Sequence, residues 1–154
     1  MVGFSAGGHL GADLVVSHAD ALYAPVDSAD QLSARPAFAG LVYPMVSLAA
    51  RTGAAGLSGM LGAGLSQAIL DARTPVRRLT VDAPPSFLVH AFDDRLVSID
   101  NSLEWIAACR AVKRPVEALL MATGGHGFGL SLPKDASGAA WPDLFARWIR
   151  KNGG

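Results

Sequence analysis

Cysteine is almost absent. Cys109 is the only one in 154 residues, which excludes an internal disulfide framework. An excess of either charge is also missing: Lys plus Arg and Asp plus Glu number 13 each, so no strong field marks the chain as a partner of nucleic acid or of an acidic membrane surface. No apolar stretch reaches the roughly 18 residues of a membrane span. The nearest, 36–50, is broken by Pro44 and Ser47. The N-terminus shows no basic segment followed by an apolar run, the pattern of a secretion signal, and a soluble chain without a visible targeting signal is expected. There is no internal repeat and no shift of composition that would mark a second domain. What the sequence does have, 51% apolar residues, suffices for a substantial core in one domain spanning residues 1–154.

The basic residues are scattered, and their one tight cluster, Arg77-Arg78, reads as a solvated loop. Cys109 follows Trp105 and Ile106 in a helical pattern, which suits a buried thiol better than a nucleophile.

Helix-like and strand-like segments alternate along the chain. Residues 6–18 carry Leu10, Leu14 and Val15 at helical spacing. The continuous apolar run at 38–46 suits a strand covered on both faces. Residues 47–85 form a long, glycine-rich excursion with a short helix at 66–73, the kind of insertion that makes a partial cap or lid. A second apolar strand spans 86–92. A helix follows at 102–112, with Asn101 as its N-cap and Glu104 placed to complete a capping box. A third strand covers 116–122. Trp141-Pro142-Asp143 then opens a final helix with a stripe of Trp141, Phe145, Trp148 and Ile149. Apolar strands alternating with helices predict an α/β fold with a parallel sheet flanked by helices.

The chemistry begins at residues 3–8, Gly-Phe-Ser-Ala-Gly-Gly. The spacing Gly3-x-Ser5-x-Gly7 suits a strand that turns sharply into a helix and holds a serine at strained dihedrals on the turn. Ahead of it a feeding strand has at best the two or three residues Met1, Val2 and Gly3, so the strand that should position Ser5 is expected to be missing. Such a pattern arises by chance in roughly one chain in ten of this size, so the rest of the constellation decides its weight. A serine hydroxyl needs an imidazole to take its proton and a carboxylate to orient that imidazole. Asp93 and Asp94 follow the 86–92 strand, and His126 sits in Gly124-Gly-His-Gly-Phe-Gly129 after the 116–122 strand. Of the other histidines, His9 suits packing or capping, His18 a helix end at the surface, and His90 a core position within an apolar strand. The glycine run at 59–64 matches part of a phosphate loop, but no Lys-Ser/Thr follows it. No cofactor or metal pattern is present.

The strings GFSAGGHL, LVYPMVSL, APPSFLVHAFDDRLVSIDNSLEWIAACR, GGHGFGL and WPDLFARWI, in this order, resemble the C-terminal half of bacterial α/β-hydrolase esterases. The similar group is the acetyl esterase and acetyl-xylan-esterase-like one, related to the prolyl oligopeptidase superfamily. The resemblance implies Ser5 as nucleophile, the Ala6 backbone N–H as an oxyanion donor, His126 as general base, and Asp93 as the acid with Asp94 the near alternative. It offers Arg95 as a residue that steers substrate, but a surface arginine pairing with Asp94 is the expected reading. It further implies that this chain starts at the elbow, lacking the earlier strands and the His-Gly-Gly loop that gives family members a second oxyanion donor. The expected function is a serine esterase acting through an acyl-enzyme on small, acetyl-type esters, carbohydrate esters among them. The alternatives are a non-catalytic fragment of such a hydrolase and a serine peptidase of the related superfamily. The expected partner is a small-molecule ester, with neither nucleic acid nor membrane, and an open sheet edge would favour self-association.

Overall fold

The computed structural model describes residues 1–48, 62, 64 and 66–152. Most of the glycine-rich 53–64 run, and much of the expected cap at 47–85, lies outside the described residues. Four strands, β1 (Val2–Phe4), β2 (Ala39–Val42), β3 (Ser86–Ala91) and β4 (Val116–Met121), form one sheet in sequence order, and every neighbouring pair is parallel. The helices are α1 (Ala6–Ser17), α2 (Gln67–Ala72), α3 (Asp100–Ala111) and α4 (Trp141–Asn152). This is the parallel α/β arrangement expected from the apolar runs, each strand shorter than its run.

Strand periodicity divides the core between the two faces of the sheet. Phe87, Val89 and Ala91 of β3 face α4, where they join Val42, Met121, Trp141, Phe145 and Trp148. Leu88 points the other way, into a cluster with Ala12 and Val15 of α1, Leu41 of β2, and Trp105 and Cys109 of α3. Cys109 is buried as expected, and that burial pushes its thiol pKa up to about 12. The stripe Trp141, Phe145 and Trp148 is likewise the buried face of α4, with Ile149 packed beside it.

The three-residue β1 corrects the expectation of a missing feeding strand. It is short but fully engaged on one side: Gly40 N–H donates to Met1 C=O at 2.9 Å and Ser5 N–H to Val42 C=O at 3.0 Å. The other side of β1 is an edge of the sheet, where Met1, Val2 and Phe4 are exposed. Gly3 is required by proximity, since a Cβ there would stand 2.2 Å from the Gly7 carbonyl oxygen. Gly7 itself has open space on its Cβ side. Of the motif's two glycines, only Gly3 is therefore demanded by the contact of strand backbone against helix backbone.

Two local expectations need correction. Asn101 does not cap α3, which begins one residue earlier behind Ile99. Its Oδ1 accepts the N–H groups of Val46 at 2.9 Å and Ser47 at 3.0 Å, tying the chain that leaves β2 to the start of α3. Arg77-Arg78, read as a solvated loop, sits at a 3₁₀ turn (Pro75–Arg77) in which Arg77 pairs with Asp71 and Arg78 reaches Asp20 at 2.5 Å.

Candidate active site

Parallel strands deliver their C-terminal ends to one side of the sheet, where functional loops collect. Ser5 lies just beyond β1 at φ 52° and ψ −116°, a left-handed conformation rare for a residue with a side chain. Holding it costs on the order of 1–3 kcal/mol. Ser5 occupies the N-cap position of α1, yet its hydroxyl makes no capping bond. Its Oγ lies 2.8 Å from His126 Nε2 instead. As the first residue of α1, Ala6 has no acceptor for its N–H within the helix, and this donor lies at the positive end of the helix dipole.

His126 reaches Ser5 across the sheet because its loop turns sharply and is fastened at several points. Gly125, Gly127 and Gly129 have φ of 62°, 78° and 48°, values that glycine adopts without strain. Gly125 N–H donates to Asp93 Oδ1 at 2.7 Å, Gly129 N–H to the Tyr43 hydroxyl at 3.1 Å, and Trp141 Nε1–H to the Gly129 carbonyl at 2.9 Å. The Tyr43 ring also packs against the imidazole, with centroids 4.7 Å apart. Burial, opposed by the Gly129 N–H and reinforced by the nearby Asp94 charge, raises the Tyr43 pKa and keeps its hydroxyl neutral.

The carboxylate that meets His126 is Asp94, not Asp93. His126 Nδ1–H donates to Asp94 Oδ2 at 2.7 Å, so the sequence expectation of Asp93 in this position is corrected. Asp93 is exposed and turned toward the Gly125 backbone, whereas the Asp94 side chain is fully buried. Asp94 Oδ1 accepts from the N–H groups of Leu96 and Val97, both at 2.9 Å, an Asx-type turn that directs Oδ2 inward. Burial works to raise the pKa of Asp94. The Val97 N–H, the His126 side chain and the Leu96 N–H outweigh it, and the carboxyl stays below its ordinary range. Arg95 is exposed and forms no ion pair with Asp94, contrary to expectation, since Asp94 takes its hydrogen bonds from His126, His90, Leu96 and Val97.

The side chains of the remaining histidines take partners other than Ser5. His9 is buried, with Nδ1 2.8 Å from the Met45 carbonyl, a packing role as expected. His18 closes α1, its Nδ1 3.0 Å from the Val15 carbonyl. His90 is fully buried in β3 and touches Asp94, a contact that sequence spacing alone does not reveal. A surface cavity of about 480 Å³ lies at the other end of α1, lined among others by Leu14, His18, Tyr23, Asp30 and Leu32. It shares no residue with the Ser5, His126 and Asp94 group.

Two of these groups make stability depend on pH in the same direction. The depressed Asp94 contributes stability that is present above the unfolded carboxyl pKa and is lost as pH falls through its lower folded value. Burial, partly offset by the Val97 carbonyl and by Asp94, lowers the His90 pKa, so the unfolded chain takes up a proton below about pH 6.5 before the folded chain does. Thermal unfolding followed by circular dichroism is expected to give a Tm that falls as pH drops from 7 to 5. His90→Gln is expected to flatten that slope.

No family model matches this chain. It superimposes on an acetyl ester-xyloside bifunctional hydrolase from Caldicellulosiruptor lactoaceticus with a TM-score of 0.89 and 28% identity, covering 99% of this chain and 56% of that one. The chain has an α/β-hydrolase fold. A sugar hydrolase from Lactococcus lactis aligns at 26% identity with a TM-score of 0.72, over 97% of this chain and 56% of its own. In sequence, an endo-1,4-beta-xylanase B from Butyrivibrio fibrisolvens is 28% identical over 141 residues, 92% of this chain and 22% of that protein. The chain thus spans about half the length of the solved esterases and hydrolases it resembles, and about a fifth of the xylanase. Among the described residues, no helix is long and apolar enough to cross a membrane.

Proposed function

We propose that this chain carries the catalytic serine, histidine and aspartate of an esterase that hydrolyses small acyl esters, with acetyl groups on carbohydrates as the substrate class. The observation that supports it is the unbroken hydrogen-bond chain Ser5 Oγ to His126 Nε2 and His126 Nδ1 to Asp94 Oδ2, at 2.8 and 2.7 Å. Because Nδ1 faces a buried carboxylate, it carries the proton, and Nε2 is left as the lone pair facing Ser5.

In the reaction, Ser5 Oγ bonds to the ester carbonyl carbon while its proton passes to His126 Nε2, and the imidazolium is stabilised by Asp94. The former carbonyl oxygen carries the negative charge, with the Ala6 N–H as one donor to it. Collapse breaks the bond to the alkoxy oxygen, which leaves with the His126 proton. Water then gives a proton to His126 and attacks the acyl carbon. Return of that proton to Ser5 releases the carboxylic acid and restores the site. The likeness to an acetyl ester-xyloside bifunctional hydrolase supports the choice of acetyl esters.

The test is a hydrolysis series on p-nitrophenyl acetate, butyrate and octanoate beside an acetylated xyloside. The expected result is the highest kcat/KM on acetate, activity on the xyloside, and none for Ser5→Ala. Cleavage of proline-containing peptides without ester hydrolysis would shift the assignment to a peptidase. One observation favours a second reading, a chain inert alone: the apolar edge of β1, with Met1, Val2 and Phe4 exposed. Absence of hydrolysis of any of these esters would support it.

A further inference from the structure

His90 takes no direct part in the reaction above, yet it occupies a costly position. Its side chain has no solvent exposure, and it stands next to the C-terminal end of β3, on the face where Leu88 and Trp105 pack. An apolar residue would fill that space without burying a polar ring. Its hydrogen bonds have a fixed direction. Nε2 faces two acceptors, Asp94 Oδ2 at 3.2 Å and the Val97 carbonyl at 3.0 Å. Nε2 must therefore carry the proton, which leaves Nδ1 to accept from the Ser102 hydroxyl at 2.8 Å. The ring is neutral, and burial holds it so.

Asp94 Oδ2 consequently receives two imidazole N–H groups, one from His126 and one from His90. Its partner oxygen is occupied by the Leu96 and Val97 N–H groups. The His90 contact is the one that links this carboxylate to the core of the sheet and, through Ser102, to the first turn of α3. Because the ring is neutral, it supplies a donor without placing a second positive charge beside Asp94.

We propose that His90 is a positioning residue, whose Nε2–H, braced by Ser102, fixes the Asp94 carboxylate in the orientation that aligns His126 with Ser5. This rests on the assignment of Ser5, His126 and Asp94 to catalysis. Two substitutions of similar polarity separate positioning from packing. His90→Gln places an N–H close to the position of Nε2 and retains the donor to Asp94. His90→Asn keeps a polar group near Ser102 but falls short of Asp94.

Two readouts apply to the full chain. One is the low-field Nδ1 proton of His126 in ¹⁵N-histidine-labelled protein, assigned by its absence in His126→Ala. The other is the rate of fluorophosphonate labelling at Ser5. The expected result is a retained signal and near wild-type labelling in His90→Gln. In His90→Asn the signal is broadened or lost, and labelling slows about 10-fold or more, the size usual for outer partners that orient a functional imidazole. Should His90→Asn fail to fold, Ser102→Ala, which removes the brace and little volume, is expected to broaden the same signal. Equal behaviour of the Gln and Asn variants, an unchanged signal in Ser102→Ala where that variant is needed, or no low-field signal in the wild type would overturn the proposal. Wild-type protein that shows the signal but takes no label would instead defeat the catalytic assignment, while the signal still decides the role of His90.

Discussion

Asp94→Asn is expected to slow acylation of Ser5 by about 10⁴-fold, the loss seen when a triad aspartate becomes its amide in serine proteases. In the native site the buried Asp94 Oδ2 holds the proton of His126 on Nδ1. An amide can present its NH₂ to the same nitrogen. Nδ1 then becomes the acceptor, the proton moves to Nε2, and Ser5 faces a donor where it needs a base. Asp93→Asn is expected to change the rate only a few-fold, because an asparagine retains an Oδ1 acceptor for the Gly125 N–H. The second-order rate of fluorophosphonate labelling, or kcat/KM on an acetyl ester, reads both variants. A larger loss in Asp93→Asn would return the orienting role to that residue and contradict the geometry.

Ser5→Ala and His126→Ala are each expected to lower kcat on acetyl esters by a factor on the order of 10⁵ to 10⁶, and the double variant to be no slower than either single one. The physical reason is that one reaction path uses both groups: the hydroxyl is a poor nucleophile until the imidazole takes its proton, and without the hydroxyl no acyl-enzyme forms for the imidazole to act on. Removing either leaves the Ala6 N–H and binding alone. Steady-state rates of the two single variants and the double variant provide the check. Losses that multiply in the double variant would mean that Ser5 and His126 act independently, despite their 2.8 Å contact.

Much of this arrangement is legible in the sequence because the signals are local. The elbow needs small residues at fixed steps from Ser5, and a Gly3 Cβ would indeed stand 2.2 Å from the Gly7 oxygen. The glycines around His126 mark a backbone that must enter the left-handed region, as Gly125, Gly127 and Gly129 do. The apolar runs at 38–46 and 86–92 mark strands buried at every position, although β2 ends at Val42, with Tyr43 at φ 38° and Pro44 beyond it, and β4 is only partly buried. What the sequence does not disclose depends on distant partners. Asp93 and Asp94 both precede a turn and both have backbone N–H groups two and three residues ahead. Only the approach of the His126 loop, 32 residues on, distinguishes the carboxylate that meets the imidazole from the one that meets the Gly125 backbone. Asn101 has the composition of a cap, but its Oδ1 is taken by Val46 and Ser47, 55 and 54 residues away. His90 reads as core from its apolar neighbours, and that reading is right about its burial and silent about Asp94.

The central claim, that Ser5 is an activated nucleophile in this chain, is tested most directly by intact-mass measurement after exposure to a fluorophosphonate, with Ser5→Ala treated in parallel. One adduct per chain in the wild type and none in the variant is the expected result. An unmodified wild type, or an adduct that persists in Ser5→Ala, would contradict it.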